Sequence, residues 1–515
     1  MVTGFPPDLT YPLPSMPVPD TPSIGPREQK AAAALLRVSA APALELGRVF
    51  AGHGHQLALV GGTVRDVFLG REHSDLDLAT DALPEQVLEI AQGWADRVWQ
   101  TGIEFGTVGM RKGPTVFEVT TYRSETYRPE SRKPVTRYGT SLEEDLRRRD
   151  FTVNAMAAPL PSLQLTDPFG GLLDLRDKVL RTPGSPVDSF TDDALRIMRA
   201  ARFAAQLGFA VAPEVAVAMH DLAGRLSVVS AERIRDELSK LMLAPGRGPV
   251  RGIELLVDTG VADVVLPEVP KLRLETDEHM RHKDVYQHSL TVLQQSIDLE
   301  PRYGLEPDLV LRLAALLHDI GKPKTRTLLP DGKVAFHHHE AVGAAMARSR
   351  LKALRFPAAV VADVTTLIAL HLRFHGYGPG EWTDSAVRRY VRDAGPLLTR
   401  LHVLTRADCT TRNKAKAARL ALAQDGLEER IAQLSAQEEL KKIRPDLDGH
   451  QIMQILGLPP GRDVGRALQY LLDLRMEHGP LGEERATHEL LGWAEREGIS
   501  GAAGPPPDDS RPASQ

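Results

Sequence analysis

Two aspartates one residue apart, Asp75-Leu76-Asp77, stand in the run SDLDLAT. On a strand, alternate side chains share a face, so both carboxylates point one way while Ser74, Leu76 and Leu78 point the other. Like charges on one face repel unless positive charge sits between them. Two divalent cations would supply it, and such a pair activates an attacking hydroxyl and clamps a triphosphate. A solvated edge strand with two surface aspartates gives the same pattern. Just upstream, LALVGGTVRDVFLG runs a short apolar strand into Gly61-Gly62 and opens a helix that carries Arg65 and Asp66. Adjacent glycines let backbone N–H groups approach a phosphate, and a helix N-terminus favours an anion. An ordinary turn uses the same glycines.

Further along, DDALRIMRAARF places Asp193, Arg196, Arg199 and Arg202 three residues apart, each a neighbour of the last on a helix surface. A rigid Asp–Arg pair offers acceptors and forked donors, the elements that hydrogen-bond the Watson–Crick edge of a base. Arg199 and Arg202 extend toward phosphate on this reading; salt bridging along a solvent face is the competing one. In SLEEDLRRRDFTVNAMA, the consecutive Arg147, Arg148 and Arg149 cannot share one face, and surface solvation accounts for two of them. The stretch EVTTYRSETYRPESRKPVTRYG (118–139) has no stable periodicity and reads as a mobile loop that meets phosphates or is simply solvated.

The elements that must position these residues change along the chain. From about Gln56 to Ala158, β-rich runs (LALVGG, SDLDLAT, GTVGM, VFEVTTYR) alternate with helical stretches such as PEQVLEIAQGWADRV, which is α+β or α/β material around one sheet. From about Asp192 onward the pattern is almost wholly helical, with Asp192 and Gly208 as caps of one helix. Ten of the seventeen histidines lie between His279 and His402, which marks a separate helical module. Residues 1–26 hold eight prolines and read as a disordered or extended arm, and the tail from Gly501 reads likewise.

The 515 residues suffice for about three domains at the usual ~150 residues each. No apolar run approaches the ~18 residues of a membrane span, and the N-terminus lacks the basic and apolar regions of a secretory signal, so a cytoplasmic location is expected. Cys409, the one cysteine, excludes an intramolecular disulfide and a cysteine zinc site. A net charge of −5 argues against a polycation that coats nucleic acid but leaves room for a local basic groove.

In order, GGTVRD, SDLDLAT, EVTTYR, RRRDFTVNAMA, DPFGGLLDL, DDALRIMRAARF and SAERIRDEL resemble the class II CCA-adding tRNA nucleotidyltransferase and bacterial poly(A) polymerase family. The likeness is dense over roughly residues 56–245 and looser through the helical tail, where DGHQIMQILGLPPGRDVGRAL looks like the family's C-terminal segment. It implies an α+β fold with a polymerase-β-like head followed by a mostly α-helical neck, body and tail. Asp75 and Asp77 would hold catalytic Mg²⁺. Gly62, Arg65 and Arg149 would contact the nucleotide, and Asp193 with Arg196 would read CTP and then ATP. Arg199 and Arg202 fall on family nucleotide-site positions. The implied reaction is attack of the tRNA 3′-hydroxyl on the α-phosphate with release of pyrophosphate. TGIEFGTVGM stands where bacterial poly(A) polymerases tend to carry a basic Arg-Phe segment, and the 123–139 loop is present, so the analogy favours complete CCA addition over poly(A) synthesis.

HKDVYQHSLTVL, LRLAALLHDIGKPKTR, FHHHEAVGAAMA, LIALHLRFH and TRADCTTRN resemble an HD-domain phosphohydrolase. The likeness implies a divalent metal on His288, His318, Asp319, His339, His371 and Asp408, with an aspartate able to bridge two ions. A degenerate body that only supports tRNA is the alternative. His337 and His338 read as a surface loop, and so do His279 and His282. The expected organisation is an arm at 1–27, the head at 28–165, a nucleotide-selecting neck at 166–270, an HD-type domain at 271–430, a tRNA-binding tail at 431–499 and a disordered end at 500–515. Three function classes compete: a nucleotidyltransferase maturing tRNA 3′ ends, a metal-dependent phosphohydrolase, and a noncatalytic RNA-binding protein. The Asp75/Asp77 pair disfavours the last. Arg412, Lys414, Lys416 and Arg419 are a candidate basic cluster for tRNA, or solvated surface charge.

Overall fold

The fold was read from a computed structural model, which describes residues 25–39, 41–71, 75–126, 135–139, 141–274, 284–330, 334–376, 382–410, 413–438 and 444–499. Most of the proline-rich arm, the residues beyond 499, His279, His282 and Arg412 lie outside the described residues. Contacts divide the chain into two compact units. One is the chain up to Ala244 together with Arg251–Val265; the other is Pro245–Val250 together with the chain from Leu266 onward.

The first unit opens with helices α1 (Pro26–Ser39) and α2 (Ala41–Gly52) and is built on a six-stranded sheet. Its strands are β1 (Leu57–Val60), β2 (Asp75–Thr80), β3 (Arg97–Trp99), β4 (Thr107–Lys112), β5 (Thr115–Thr121) and β8 (Ala157–Pro159), in the order β3-β4-β5-β2-β1-β8. The central pair β2·β5 is parallel, with Asp77 opposite Glu118; the other pairings are antiparallel. Along β2, Asp75 and Asp77 are exposed while Leu76 and Leu78 are buried, the alternation expected of a half-buried strand. Between β1 and β2 lies α3 (Gly62–Phe68). Ala58, Val60, Ala79, Tyr122, Leu146 and Ala157 form a buried cluster, with Ala79 on the face of β2 that also carries Asp75 and Asp77.

Three local expectations are corrected. The helix in PEQVLEIAQGWADRV is α4 (Pro84–Gln92) and stops there; Gly93 follows, and Arg97–Trp99 leaves as β3 to pair with β4. The 118–139 stretch is not a loop throughout: it holds the end of β5 and an antiparallel ribbon of β6 (Arg123–Thr126) and β7 (Val135–Tyr138). Ladder hydrogen bonds, which need no side-chain periodicity, make the ribbon. Asp192 is not a cap. It ends α7 (Pro186–Asp192), and Asp193 lies in extended backbone before α8 (Leu195–Leu207) and accepts from the Leu195 N–H. Gly208 does close α8 in the left-handed region. Between β7 and these helices run α5 (Leu142–Arg147) and α6 (Gly171–Asp177), and α9 (Pro213–Leu222) and α10 (Ala231–Met242) follow α8. The α10 helix packs on α8 and carries Glu237 inward, buried. Helices α11 (Gly248–Asp258) and α12 (Val261–Val265) come next.

Among the described residues, the second unit is helical apart from a short hairpin of Arg326–Leu328 with Val334–Phe336. Helix α13 (Val285–Leu299) packs on α14 (Leu309–Leu317), the short α15 (Lys322–Thr325) packs on α16 (His339–Ala353), and α16 packs on α17 (Ala358–Leu370). These are followed by α18 (Asp384–Ala394), α19 (Leu398–Asp408), which lies against α13, and the long α20 (Lys414–Glu438). Helices α21 (Gly449–Leu456), α22 (Arg462–His478) and α23 (Glu483–Arg496) enclose a core of their own around Leu447, Ile452, Leu471, Leu490 and Trp493. Among the described residues, no helix is long and apolar enough to cross a membrane.

Candidate functional site

In the first unit a cavity of about 1250 Å³ gathers Gly62, Arg65, Asp77, Arg149, Asp193, Arg196, Arg199 and Arg202. Asp75 is not in the wall; it shares the exposed face of β2 with Asp77, two residues away. Eight arginines line the cavity against four aspartates, a balance suited to a polyanion. Thr63 Oγ1 accepts the Asp77 N–H at 2.9 Å, which ties α3 to β2 beside the carboxylate.

The turn between β1 and α3 needs glycine for a stated reason. Gly61 has φ +65°, and a Cβ there would lie 2.7 Å from Arg149 Nη1. A side chain at Gly61 would meet a guanidinium and strained backbone at once. A Cβ at Gly62 would stand 3.8 Å from Asp77 Oδ2, so the backbone passes close by the carboxylate.

Each arginine of the cavity is aimed by an acid or a carbonyl. Arg65 is buried, donates twice to Asp66 (2.8 and 2.7 Å), and gives its remaining terminal nitrogen to Asn154 Oδ1 at 2.6 Å. Asn154 Nδ2 donates to Asp150 Oδ1 at 2.9 Å, and Arg199 donates to Asp150 Oδ2 at 2.8 Å. Burial would raise the Asp150 carboxyl, but Arg199 and Asn154 outweigh it and hold the group down at about 2. The same pairing pushes Arg199 up against its own burial. Arg202 Nε donates to buried Glu237 at 2.5 Å, and its guanidinium lies 3.9 Å over the Phe203 ring. Arg202 also donates to Gln206 at 3.0 Å. Arg196 donates to the Arg148 carbonyl at 2.5 Å and to Ser189 Oγ at 2.8 Å. Asp193 Oδ2 accepts from Arg233 at 3.0 Å.

Only Arg147 of the arginine triplet is a surface residue, paired with Glu143. Arg148 and Arg149 both reach Asp145, which is buried; burial raises this carboxyl, and the two guanidinium groups bring it below the ordinary range. The expectation that two of the three are merely solvated is corrected to one, because α5 turns Asp145 inward beneath them. Partners of the α8 arginines come from Asp150 and Glu237, not from residues three apart on the same helix. Sequence reasoning also missed Glu118. It stands opposite Asp77 across β2·β5, and burial first, then the charges of Asp77 and Asp75, raise its carboxyl. The signal was present: EVTTYR is a strand, and its acid falls in register with the aspartate pair.

The second unit brings His288, His318, Asp319, His339, His371 and Asp408 together as overlapping groups with metal-ligand spacing. His318 follows α14, His339 opens α16, His371 follows α17, Asp408 ends α19 and His288 projects from α13. Three imidazoles are anchored through Nδ1 on backbone carbonyls: His318 on Ala315 (2.9 Å), His339 on Phe336 (2.8 Å) and His371 on Ile368 (2.7 Å). His288 Nδ1 meets Thr410 Oγ1 at 3.1 Å. An Nδ1–H donated to a carbonyl leaves Nε2 as the lone-pair atom, the arrangement of a metal-ligating histidine. The Nε2 atoms point inward: His318 and His339 lie 3.1 and 3.3 Å from the two oxygens of Asp319, and His288 lies 3.0 Å from Asp408 Oδ1. His371 Nε2 and His339 Nε2 are buried without a hydrogen bond, the state expected of donors to a cation. Burial and the neighbouring His318 push His371 down to about 3, while Asp319 overcomes burial to raise His318 to about 10. Gly321 in HDIGK is required by packing: a Cβ would lie 2.1 Å from the His339 carbonyl. His337 and His338 are exposed, as expected of a surface loop.

Residues 57–181 match the poly A polymerase head domain, residues 208–272 the family described as a probable RNA and SrmB-binding site of polymerase A, and residues 285–413 the HD domain. The chain is 36% identical over 364 residues to the A-adding tRNA nucleotidyltransferase of Deinococcus radiodurans, covering 69% of this chain and 79% of that protein. It is 34% identical over 450 residues to the CC-adding tRNA nucleotidyltransferase of Thermus thermophilus, covering 84% and 93%. With the CCA-adding enzyme of Bacillus subtilis the identity is 42% over 218 residues, and the match spans about half of that protein's length, 53%. Among solved structures, the Bacillus stearothermophilus CCA-adding enzyme in complex with CTP superposes with a TM-score of 0.60 at 26% identity, over 88% of this chain and 98% of that one. On these matches the chain belongs to the family of CCA-adding tRNA nucleotidyltransferases and bacterial poly(A) polymerases, with a polymerase-type α+β head and an HD domain in its helical part.

Proposed function

We propose that this chain adds C, C and A to the 3′ end of tRNA in the cytoplasm, using CTP and ATP and releasing pyrophosphate. The observation that carries this reading is the single arginine-rich cavity that takes in both Asp77 and the Asp193–Arg196 pair. Asp193 presents an acceptor and Arg196 a donor. Cytosine and adenine each set an exocyclic N–H donor beside a ring-nitrogen acceptor, whereas uracil and guanine set an acceptor beside an N–H donor. One Asp–Arg pair therefore suits both substrates and refuses the other two bases. The bonds Asp193 and Arg196 make to Arg233, Ser189 and Arg148 hold them in place and leave further lone pairs and N–H groups for a base.

The backbone at Gly61-Gly62 with Arg65, Arg149 and Arg199 forms the cationic wall for the triphosphate. Arg202 lines the same cavity, held in place by its pairing with Glu237. Asp75 and Asp77 would hold Mg²⁺, which when bound acidifies the attacking hydroxyl and neutralises phosphate charge. The 3′-oxygen of the RNA forms a bond to the α-phosphorus, and the α–β bridging bond breaks to release pyrophosphate. No histidine lines the cavity among the described residues, in keeping with a reaction that uses no imidazole base. In this reading residues 28–165 are the catalytic head, 166–270 the nucleotide-selecting neck, 271–430 the HD-type domain, and 431–499 the tRNA-binding tail.

The test is incorporation onto a tRNA transcript lacking its 3′ CCA, with CTP and ATP supplied singly and together. Two C additions from CTP alone, and one terminal A only with both nucleotides, are expected. A product that stops at CC, or addition of A only to a CC-ended transcript, would move the chain to partial addition. That second reading is favoured by the A-adding and CC-adding relatives, which match over most of their lengths. Long A tails from ATP alone would refute both.

For the second unit, His288, His318, His339, His371, Asp319 and Asp408 would hold a divalent metal and support a metal-dependent phosphohydrolase activity. The buried Nε2 atoms of His339 and His371, which lack hydrogen bonds, support the metal. Metal analysis of the full chain after loading with Mn²⁺ tests it: retention after desalting is expected, and loss of all metal would contradict it.

A further inference from the structure

Two aromatic side chains line the nucleotide cavity, and they are in opposite states. Phe203 is 6% exposed, with the guanidinium groups of Arg65, Arg199 and Arg202 lying over its ring. Phe105 is 58% exposed. A phenylalanine held open to water in a cavity of charged side chains forgoes the burial that ordinarily places this residue inside.

The backbone around Phe105 is built to hold it there. Ile103–Phe105 is a single 3₁₀ turn between two left-handed glycines, Gly102 (φ 99°) and Gly106 (φ 76°). The Phe105 N–H donates to the Gly102 carbonyl at 2.8 Å, and the Thr107 N–H returns to the same carbonyl at 3.2 Å as β4 begins. The Gly106 N–H donates to Ile103, and its carbonyl accepts from Thr121 at the end of β5. The turn is thereby anchored to the sheet that carries Asp77. Tyr138, also exposed at 43%, lies against Gly106, with Cε1 3.0 Å from where a Cβ would stand. A ring from the end of β7 therefore packs against the glycine that closes the turn.

We infer that Phe105 is a stacking platform for the 3′-terminal base of the acceptor RNA. This rests on the cavity being the site of nucleotide addition. The incoming nucleotide already has polar readers in Asp193 and Arg196, which discriminate by hydrogen-bond pattern. The RNA terminus poses the opposite requirement, because its last base changes with each addition and must be accepted every time. Hydrogen bonds would refuse some of those termini. An aromatic face serves all of them, since every base has a π-face of its own. A short, exposed Phe turn in the same cavity as the aspartate meets that requirement.

The test uses the full chain and a tRNA transcript carrying 2-aminopurine as its terminal base. Binding to the wild-type protein should quench the fluorophore; Phe105→Leu, which keeps an apolar side chain without a π-face, should not quench it. In steady-state addition, Phe105→Ala should raise KM for the RNA by about ten-fold, the size of one lost stacking contact, and leave KM for CTP unchanged. Phe105→Trp should restore both signals. Unchanged quenching and RNA KM in Phe105→Leu and Phe105→Ala would overturn the inference. So would a rise confined to the KM for CTP, which would give the ring to the incoming nucleotide instead. Failure of the wild-type protein to add any nucleotide would instead strike the function on which the inference rests. Thermal melting of each variant separates misfolding from lost stacking, and a melt matching wild type with no change in RNA binding counts against it.

Discussion

The nucleotide cavity of the first unit and the histidine cluster of the second are both convergences of charged side chains, but they are completed differently. In the cavity, the protein supplies both signs. Asp145 aims Arg148 and Arg149, Asp150 aims Arg199, Glu237 aims Arg202, and Asn154 joins Arg65 to Asp150. The wall is organised before any anion arrives, so on the proposed function a triphosphate would meet donors whose ordering has already been accomplished in folding. In the histidine cluster, four Nε2 atoms and two carboxylates face one another with Lys322 as the nearby cation, and two of those nitrogens are buried without a hydrogen bond. The first site is a surface for a ligand. The second gathers groups that could hold a cation. The physical difference is the source of the compensating charge, and it predicts different sensitivities.

The largest effect belongs to Asp77→Asn. Removing the carboxylate that faces the cavity should cut nucleotide addition on the order of a thousand-fold or more. The exposed position on β2 predicts an unchanged melting temperature, checked by circular dichroism. Next in size is Asp193→Ala, which should lower the preference for CTP over UTP by roughly ten- to one hundred-fold, the discrimination one base-edge contact supplies. Competitive incorporation measures it, and an unaltered preference would remove Asp193 from base reading.

A smaller effect tests the organised wall itself. The Asp150 carboxyl is lowered in the folded chain to about 2, so its pairing stabilises the fold above the ordinary carboxylate pKa and that contribution fades as pH falls toward 2. Asp150→Asn should therefore cost about 2 kcal/mol at pH 7 and progressively less below pH 4, read from urea unfolding at each pH. A penalty that stays constant with pH would mean that shape, not charge, holds Arg199.

What the sequence made legible follows the same division. The histidine cluster was legible through its likeness to HD-domain phosphohydrolases, and packing of α13, α14, α16, α17 and α19 brings its residues together. The aspartate pair was legible because strand alternation decides where Asp75 and Asp77 point. The arginine wall was not. Arg199 and Asp150 are 49 residues apart and Arg202 and Glu237 are 35 apart, so the helix pattern of α8 suggested partners that the fold does not use. Glu118 was hidden for a similar reason, since its place beside Asp77 depends on which strand pairs with β2. The β6–β7 ribbon was missed because backbone ladder bonds leave little mark in side-chain periodicity.

The most direct test of the account is a crossed measurement on three full-length proteins: wild type, Asp77→Ala and Asp319→Ala. Each is assayed for CTP and ATP addition to tRNA lacking CCA and for Mn²⁺ retained after desalting. The account predicts that Asp77→Ala loses addition and keeps the metal of the second unit, while Asp319→Ala loses that metal and keeps addition within about two-fold. Loss of both properties from either variant would contradict two separately completed sites.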